Sequence, residues 1–442
     1  MRRAGATPIV AVAASGGRDS TALLHATVHA ARGTALLVIA LHVHHGLNPA
    51  ADSWQQHLQR QCARWARAGL PVALLTHRLN GSPARGESVE AWARRERYRA
   101  LAAMAREAGA GVVMLAHHRR DQAETFLLQA LRGAGPAGLA AMPREVIRDG
   151  LLWCRPWLDQ PAEAIRAYVA RHRLSHIDDD SNRDRRFDRN RLRHDVWPAL
   201  LAAFPHAEAT LALAAHQAQW AIELIDDVAE TDLAAVRAAA PSGLGDRVID
   251  VAAWQALPAP RRVAVLRRWL APLVSDGVRD SLIDRLGHEL AASRTARWPL
   301  DGVRELRLYR GRLTVGPVAT RHARSPAPTP MRLDRPGVMD LPDWGGRLEL
   351  EAVEQGGVAA GLLARAALRA RAPGDTFQFS ARSTARSLKK QYQARAVPAW
   401  LRGGPVIACE AHPVFVPGLG IDARALAVPG EPQLLIRWHP AS

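Results

Sequence analysis

Over the first third of the chain, short apolar runs alternate with longer stretches in which apolar residues recur at helical spacing. Residues 9–13, 35–43, 72–75 and 112–115 have strand length and are almost continuously apolar. Between them, residues 20–31, 53–68, 88–108 and 122–131 have helical character. Asp52 and Glu87 stand where helix starts favour acidic or capping groups, and Gly69 and Gly109 stand where helices stop. Strands that are apolar throughout are buried on both faces. The alternation therefore predicts an α/β domain built on a parallel sheet with helices on each side. Ligands of such sheets bind at the carboxyl ends of the strands, and the segments that carry chemistry fall there.

Further along, the pattern changes. Residues 207–240 are Ala-rich with few breakers, and 261–270 and 279–292 follow as helical segments. Pro326, Pro328 and Pro330, among small and polar residues, mark 318–330 as a linker. Beyond it, runs such as 347–353, 406–409 and 434–438 are short and broken by Gly and Pro, which predicts a small α+β, β-rich domain. The expected organisation is an α/β domain over 1–205, a helical middle domain over 206–317, a linker over 318–332 and a C-terminal domain over 333–442. No internal repeat is visible.

Composition narrows the class. The 442 residues are 48% hydrophobic and 23% charged, as in a packed protein and unlike a disordered or fibrous chain. No apolar run reaches the roughly 18 residues of a membrane helix, and residues 9–14 are too short an apolar core for a signal peptide. Cys62, Cys154 and Cys409 are widely spaced, which excludes a disulfide framework or a zinc knuckle. The expectation is a cytoplasmic protein with no membrane partner. Charge says more: 59 Lys and Arg against 42 Asp and Glu leave a formal +17. A field of that sign and size draws polyanions, nucleic acid first. Lys389 and Lys390 are the only lysines, so nearly all of this charge is the planar, phosphate-pairing guanidinium.

The first strand runs into Ser15-Gly16-Gly17-Arg18-Asp19-Ser20, and a helix follows at once. Two glycines permit a tight turn and close approach of an anion. The free N–H groups and dipole of the helix start cradle phosphate. Ser15 and Ser20 offer hydroxyls, and Asp19 is placed to hold Mg2+ against phosphate oxygens. The G-x-x-x-x-G-K-[ST] loop is absent, so this is a different phosphate cradle.

S-G-G-x-D-S after an N-terminal strand resembles the loop of the N-type ATP pyrophosphatases, which cleave ATP between its α and β phosphates and adenylate a carbonyl oxygen. Further segments narrow the resemblance: His42-Val43-His44-His45-Gly46-Leu47; Gly86 through Arg94, continuing to Arg97-Tyr98; Ala116-His117-His118-Arg119-Arg120-Asp121-Gln122-Ala123-Glu124-Thr125; Arg132-Gly133-Ala134-Gly135; Arg155-Pro156; Asp180-Ser181-Asn182; and Arg189-Asn190-Arg191-Leu192-Arg193. In this order they resemble the tRNA(Ile)-lysidine synthetases. Arg371-Ala372-Pro373-Gly374-Asp375, Ser387 through Tyr392, Pro398, Arg402 and Val416 through Gly420 are similar to the C-terminal tRNA-binding domain of the longer members. One position departs: the family usually has H-H-x-D-D-Q-x-E-T, and Arg120 occupies the place of its first aspartate.

The resemblance implies a parallel-sheet ATP pyrophosphatase domain (adenine nucleotide alpha hydrolase-like) that joins free L-lysine to the wobble cytidine of a CAU-anticodon tRNA(Ile), with ATP split to AMP and pyrophosphate at the loop and Mg2+ as its cofactor. The amine of lysine has a pKa of about 10.4, so only about one molecule in 2,500 is neutral at pH 7. His117, Asp121 and Glu124 are spaced i, i+4, i+7 and would share one face if the helix began near His117, ready to bind the ammonium and take its proton. The resemblance adds Arg94 and Arg189 beside lysine and ATP. Asn190, Arg191 and Arg193 are expected at the pocket mouth against nucleotide or phosphate. Arg382, Arg386, Lys389 and Lys390 are expected to grip the acceptor side of the tRNA, positioning the RNA without reading its sequence. Asp178, Asp179 and Asp180 read as a solvated turn. A homodimer stays open. So do two other readings: another adenylating member of the superfamily, such as a tRNA thiolase, or a tRNA-binding protein with an inert ATP site. A thiolase relies on paired cysteines, which this chain lacks, and an inert binder would release no pyrophosphate.

Overall fold

The first half of the chain builds on a six-stranded sheet in the order β3-β2-β1-β4-β6-β5. The computed structural model describes residues 7–44, 46, 50–83, 86, 88–178, 184–237, 247–274, 277–318, 327–410 and 412–440. Its first elements are β1 (Ile9–Ala13), α1 (Arg18–Ala30), β2 (Leu37–His44), α2 (Ala51–Arg67), β3 (Val72–Arg78), α3 (Val89–Glu107), β4 (Val112–Met114) and α4 (Arg119–Leu131). After them come α5 (Pro136–Leu139), β5 (Glu145–Arg148), β6 (Leu151–Cys154), α6 (Ala162–Arg171), α7 (Asp188–Arg191), α8 (Trp197–Ala203) and α9 (Ala207–Val236).

Strands β1, β2, β3, β4 and β6 run parallel, and β5 pairs antiparallel with β6 as an edge hairpin. Side chains alternate across a strand. Val10 and Val12 therefore face α1, α2 and α6 through Leu24, Leu58, Trp65 and Ile165. Ala11 faces the other layer, where Leu41, Leu101, Met104 and Trp153 pack. Gly69 and Gly109 end α2 and α3 at φ +77° and +73°, the left-handed geometry that a helix stop favours.

Two compact units divide at Ile225/Asp226, inside α9 and beyond the expected boundary at 205. The second unit continues with β7 (Val248–Asp250), α10 (Val251–Gln255), α11 (Ala259–Leu270), α12 (Asp280–Ala292), β8 (Thr295–Pro299), β9 (Arg304–Tyr309) and β10 (Arg312–Pro317). The expected helical region thus also holds an antiparallel sheet, β7-β10-β9-β8. Leu266, Trp269, Ile283 and Leu286 cover it against Trp298, Leu306, Leu308 and Leu313. Strand β9 escapes a simple reading because it buries an ion pair, Arg307 to Glu305 at 2.8 Å, among its apolar residues.

The remaining elements are β11 (Thr329–Pro330), β12 (Gly337–Leu341), β13 (Gly346–Val353), β14 (Val358–Ala359), α13 (Ala360–Leu363), β15 (Ala366–Arg369), β16 (Thr376–Phe377), β17 (Arg386–Ser387), α14 (Leu388–Ala394), β18 (Val406–Cys409), β19 (His412–Val416), β20 (Gly420–Ile421) and β21 (Gln433–Pro440). Two sheets, β11-β15-β18-β19-β20 and β12-β13-β21-β14, sandwich a core of Leu348, Leu368, Ile407, Phe415 and Ile436. Of the expected linker, residues 319–326 lie outside the described residues, and Thr329–Pro330 pairs with β15. Among the described residues no single helix is long and apolar enough to cross a membrane.

Candidate active site

The loop after β1 is shaped by its glycines and by a strap from beyond α6. Gly16 sits at φ +87°, a geometry that strains any residue with a Cβ, and a Cβ there would run into the Ile177 side chain. The Gly16 carbonyl accepts from Ile177 N–H at 2.9 Å and from Thr21 Oγ1 at 3.2 Å. Ser15 Oγ lies 3.0 Å from Ser20 Oγ, and Ser20 Oγ donates to Gly17 O at 3.0 Å. Gly17 caps α1 with no side chain to bond the helix start. The first-turn N–H groups of α1 therefore point into the cleft with no intrahelical acceptor, as an anion needs. Replacing Gly16 with alanine is expected to cost about 1–2 kcal/mol of stability through backbone strain. It is also expected to weaken pyrophosphate binding, and thermal unfolding together with pyrophosphate titration checks both.

Asp19 projects from this helix start. Burial alone would raise its carboxyl, but His118 and Arg18 outweigh that and hold it at about 2. Arg18 Nε donates to Asp19 Oδ1 at 3.0 Å. His118 Nε2 lies 3.7 Å from Asp19 Oδ2 and 3.5 Å from Asp121 Oδ2, so one imidazole bridges the loop and the fourth strand's end. Burial works against its protonation, yet the carboxylates of Asp19, Asp121 and Glu124 raise its pKa above the ordinary value.

Helix α4 begins at Arg119, two residues later than the i, i+4, i+7 reading required. The cause is local: Asp121 turns back and accepts the His118 N–H at 3.0 Å, making His118 the cap. Asp121 and Glu124 share a helix face, while His117 precedes the helix. Burial drives the His117 imidazole well below its ordinary pKa, with Asp121 partly opposing, so it is neutral at pH 7. Its Nδ1 is buried with no hydrogen-bond partner among the described residues.

The two carboxylates are not free. Glu124 is fully buried and receives Arg189 Nε at 2.9 Å, Arg193 Nε at 2.8 Å and Arg120 Nε at 3.2 Å. Asp121 receives Arg189 Nη2 and Arg193 Nη2, each at 2.9 Å. Burial would raise the Asp121 carboxyl, but the charges of His118, Arg189 and Arg193 pull it below its ordinary value. Arg120 also lies over the Trp197 ring at 5.1 Å. Arg193 stands in a π-helical turn, Leu192–Val196, that precedes Pro198. Pro198 has no N–H for the His194 carbonyl, which accounts for the loosened ladder.

The structure therefore brings together Ser15, Gly16, Gly17, Arg18, Asp19, Ser20, Asp121, Glu124 and Arg189. It corrects one placement, since His117 lies off the helical face, and it pairs Arg193 with Asp121 and Glu124. Arg94 is exposed on α3, 5.3 Å over the Tyr98 ring, and its charge bears on His117 together with that of Arg155. Asn190 donates to Asp184 O at 3.0 Å, and Arg191 pairs with Asp188 on the surface. In the second unit, Arg382, Arg386, Lys389 and Lys390 are all exposed. Leu388, Gln391 and Tyr392 anchor α14 beneath the two lysines, with Tyr392 Oη donating to Pro417 O at 2.8 Å. Sequence reasoning noted His118 and the departure at Arg120 but gave neither a role in the site. The signal for His118 was its place three residues before Asp121, the spacing of a cap and its partner.

His45, Leu47, Glu87, Asp179, Asp180, Ser181 and Asn182 lie outside the described residues. Among the described residues no group of three or more His, Cys, Asp or Glu side chains is arranged to hold a metal ion. A lone carboxylate beside a phosphate cradle still suits Mg2+, which takes few protein ligands and the rest from phosphate and water.

Three family models match: a PP-loop domain over residues 5–200, a TilS substrate binding domain over 249–314 and a TilS substrate C-terminal domain over 366–438. The chain is 39% identical to a tRNA(Ile)-lysidine synthase of Ralstonia nicotianae, covering 99% of this chain and 93% of that protein. A tRNA(Ile)-lysidine synthase of Chromobacterium violaceum is 38% identical, over 97% of this chain and 94% of its own length. Among solved structures, a U34-tRNA thiolase of Methanococcus maripaludis aligns with 48% of this chain and 71% of its own, at 13% identity and a TM-score of 0.42.

Proposed function

This chain belongs to the tRNA(Ile)-lysidine synthase family, and we propose that the cleft around Asp19, His118 and Glu124 is where it joins lysine to the wobble cytidine of tRNA(Ile). The C2 carbonyl of cytosine is a poor electrophile with no leaving group. ATP supplies one when bound, by transfer of AMP to that oxygen with release of pyrophosphate; the lysine amine then attacks C2 and AMP departs.

The chain's own residues divide this work. The open N–H groups at the start of α1, with Ser15 and Ser20, bind the phosphates. Asp19, steadied by Arg18 and His118, stays ionised and would hold Mg2+, which would supply positive charge to the phosphates. The lysine ammonium meets a site in which Arg94, Arg120, Arg155, Arg189 and Arg193 outnumber the carboxylates of Asp19, Asp121 and Glu124. Like charges lower an ammonium's pKa, so this field favours the neutral, nucleophilic amine. Neutral His117, with its unpartnered Nδ1, accepts the hydrogen bond that orients it. Asp121 and Glu124 set the two arginines in place. The observation that carries the reading is the junction itself: a phosphate cradle linked through His118 to a buried carboxylate–arginine cluster, at the carboxyl ends of parallel strands.

Pyrophosphate release is expected only when ATP, Mg2+ and an unmodified CAU-anticodon tRNA(Ile) are all present, and chelation of Mg2+ abolishes it. Release from ATP without tRNA would overturn the assignment. The exposed pair on α14 serves the RNA in a separate way. Changing Lys389 and Lys390 to alanine is expected to weaken tRNA binding and to flatten its dependence on log salt by up to about two units. Filter binding across a salt series checks this, and an unchanged slope would move the contact elsewhere.

A further inference from the structure

Phe187 is exposed to 38% and, among the described residues, no ring or guanidinium covers it. A single exposed apolar side chain is ordinary; what singles this one out is where it stands. It caps α7 in extended geometry, and two residues on Arg189 reaches into the cluster to bond Asp121 and Glu124. Its ring is thus tied within one turn of the groups assigned to the chemistry. Arg185, Arg186 and Arg191 surround it in sequence, with side chains 67%, 86% and 56% exposed. Their partners Asp195, Asp184 and Asp188 are surface carboxylates, and pairs of that kind are weak enough to yield to phosphate. Arg132 pairs with Asp188 at 2.8 Å, between this segment and the end of α4. An aromatic face framed by guanidiniums is how unpaired RNA is held: bases stack on the ring while the backbone tracks the charges.

We propose that Phe187 is a stacking platform for a nucleobase flanking the modified cytidine in the unpaired anticodon loop. The platform holds the neighbouring base out of the loop's own stack, so that the cytidine alone enters the cleft. This rests on the lysine-transfer reading of the cleft but assigns a residue and a ligand class that the reaction itself does not name.

The test compares wild type with Phe187→Ala, Phe187→Leu and Phe187→Trp. Substrates are a tRNA(Ile) transcript and two versions made abasic at the nucleotide on the 5′ or the 3′ side of the wobble cytidine. Alanine and leucine are each expected to lower kcat/KM for intact tRNA by roughly 5- to 150-fold, the range of one base–aromatic stack. Tryptophan, with a larger face, retains activity. Leucine keeps an apolar side chain without the ring, which separates stacking from mere support of the loop. On one abasic transcript the alanine defect disappears, because the base it served is gone; on the other it persists. Full activity of the alanine or leucine variant, or a defect undiminished on both abasic transcripts, would overturn the proposal. Should wild type transfer no lysine, the lysine reading fails separately. The same matrix read as transcript affinity then decides the platform: loss of the alanine defect on one abasic transcript supports it, and equal defects on all three reject it.

Discussion

Replacing Asp19 with alanine is expected to reduce AMP and pyrophosphate formation by about 100- to 1,000-fold, the scale at which an electrostatic clamp on a developing charge acts. Affinity for tRNA stays within about twofold, because Asp19 faces phosphate and metal and not RNA. Its carboxyl, held at about 2, is ionised throughout the working range. Asp19→Asn keeps the shape and loses the charge, so it is expected to be nearly as inactive. A second readout follows from linkage. His118 has a raised pKa in the folded protein, so its contribution to stability is full below the unfolded value near 6.5 and is lost as pH rises through the folded value. Removing Asp19 takes away one of the carboxylates that raise it. The His118 titration, followed by NMR, should move down, and the stability difference between variant and wild type should be largest between about pH 4 and 6.5, shrinking below that as Asp19 is protonated in wild type. Rapid-quench measurement of AMP with tRNA present checks the first effect. An Asp19→Ala protein that forms AMP at the wild-type rate would remove this carboxylate from the clamp.

Glu124→Ala is expected to destabilise the first unit by about 3 kcal/mol. Breaking a buried ion pair leaves charge uncompensated, at about 3–5 kcal/mol. Here Arg120, Arg189 and Arg193 would be left facing one another, with side chains 22%, 30% and 31% exposed. That partial exposure lets them swing outward, which places the cost at the lower end. A unit of this size should lose roughly 6–12 °C in melting temperature. Lysine transfer should fall with it, since Arg189 and Arg193 keep only Asp121 of their two carboxylate partners. Arg120→Ala alone leaves Glu124 doubly paired and is expected to cost under about 1 kcal/mol. Added to Glu124→Ala, it should restore part of the lost stability by relieving cation crowding. Differential scanning calorimetry of the two single variants and the double gives the sign of this coupling. Strictly additive losses would mean that the three guanidiniums do not act on one another through Glu124.

Strand and loop at the N-terminus were readable because their local signals are strong. Ile9–Ala13 is apolar throughout, and two glycines follow directly. Acidic and glycine positions also marked the helices, so Gly69 and Gly109 stop α2 and α3 as expected. What escaped reading depended on tertiary partners. The start of α4 shifted because Asp121 turns back to cap His118, a choice made by a side chain and invisible to periodicity. Arginine in a basic stretch reads as an RNA contact, and nothing local in the sequence shows that Arg193 also bonds the buried Glu124, sixty-nine residues away. The sheet β7-β10-β9-β8 stayed hidden within a helical reading because β7 is three residues long and half of β9 is charged, with Glu305 and Arg307 buried. Arg120 shows the limit in the other direction. Its departure from the family pattern was plain in sequence, but only the geometry shows that it adds a third cation to Glu124 and rests on Trp197.

The most direct test of the central claim is incorporation of labelled lysine into an unmodified tRNA(Ile) transcript with a CAU anticodon, with ATP and Mg2+, beside a tRNA(Met) transcript that shares the anticodon. Label in tRNA(Ile) alone, dependent on ATP and lost in Asp19→Ala, is the predicted result. No label from a folded protein that still binds the transcript, or equal label in both RNAs, would contradict it.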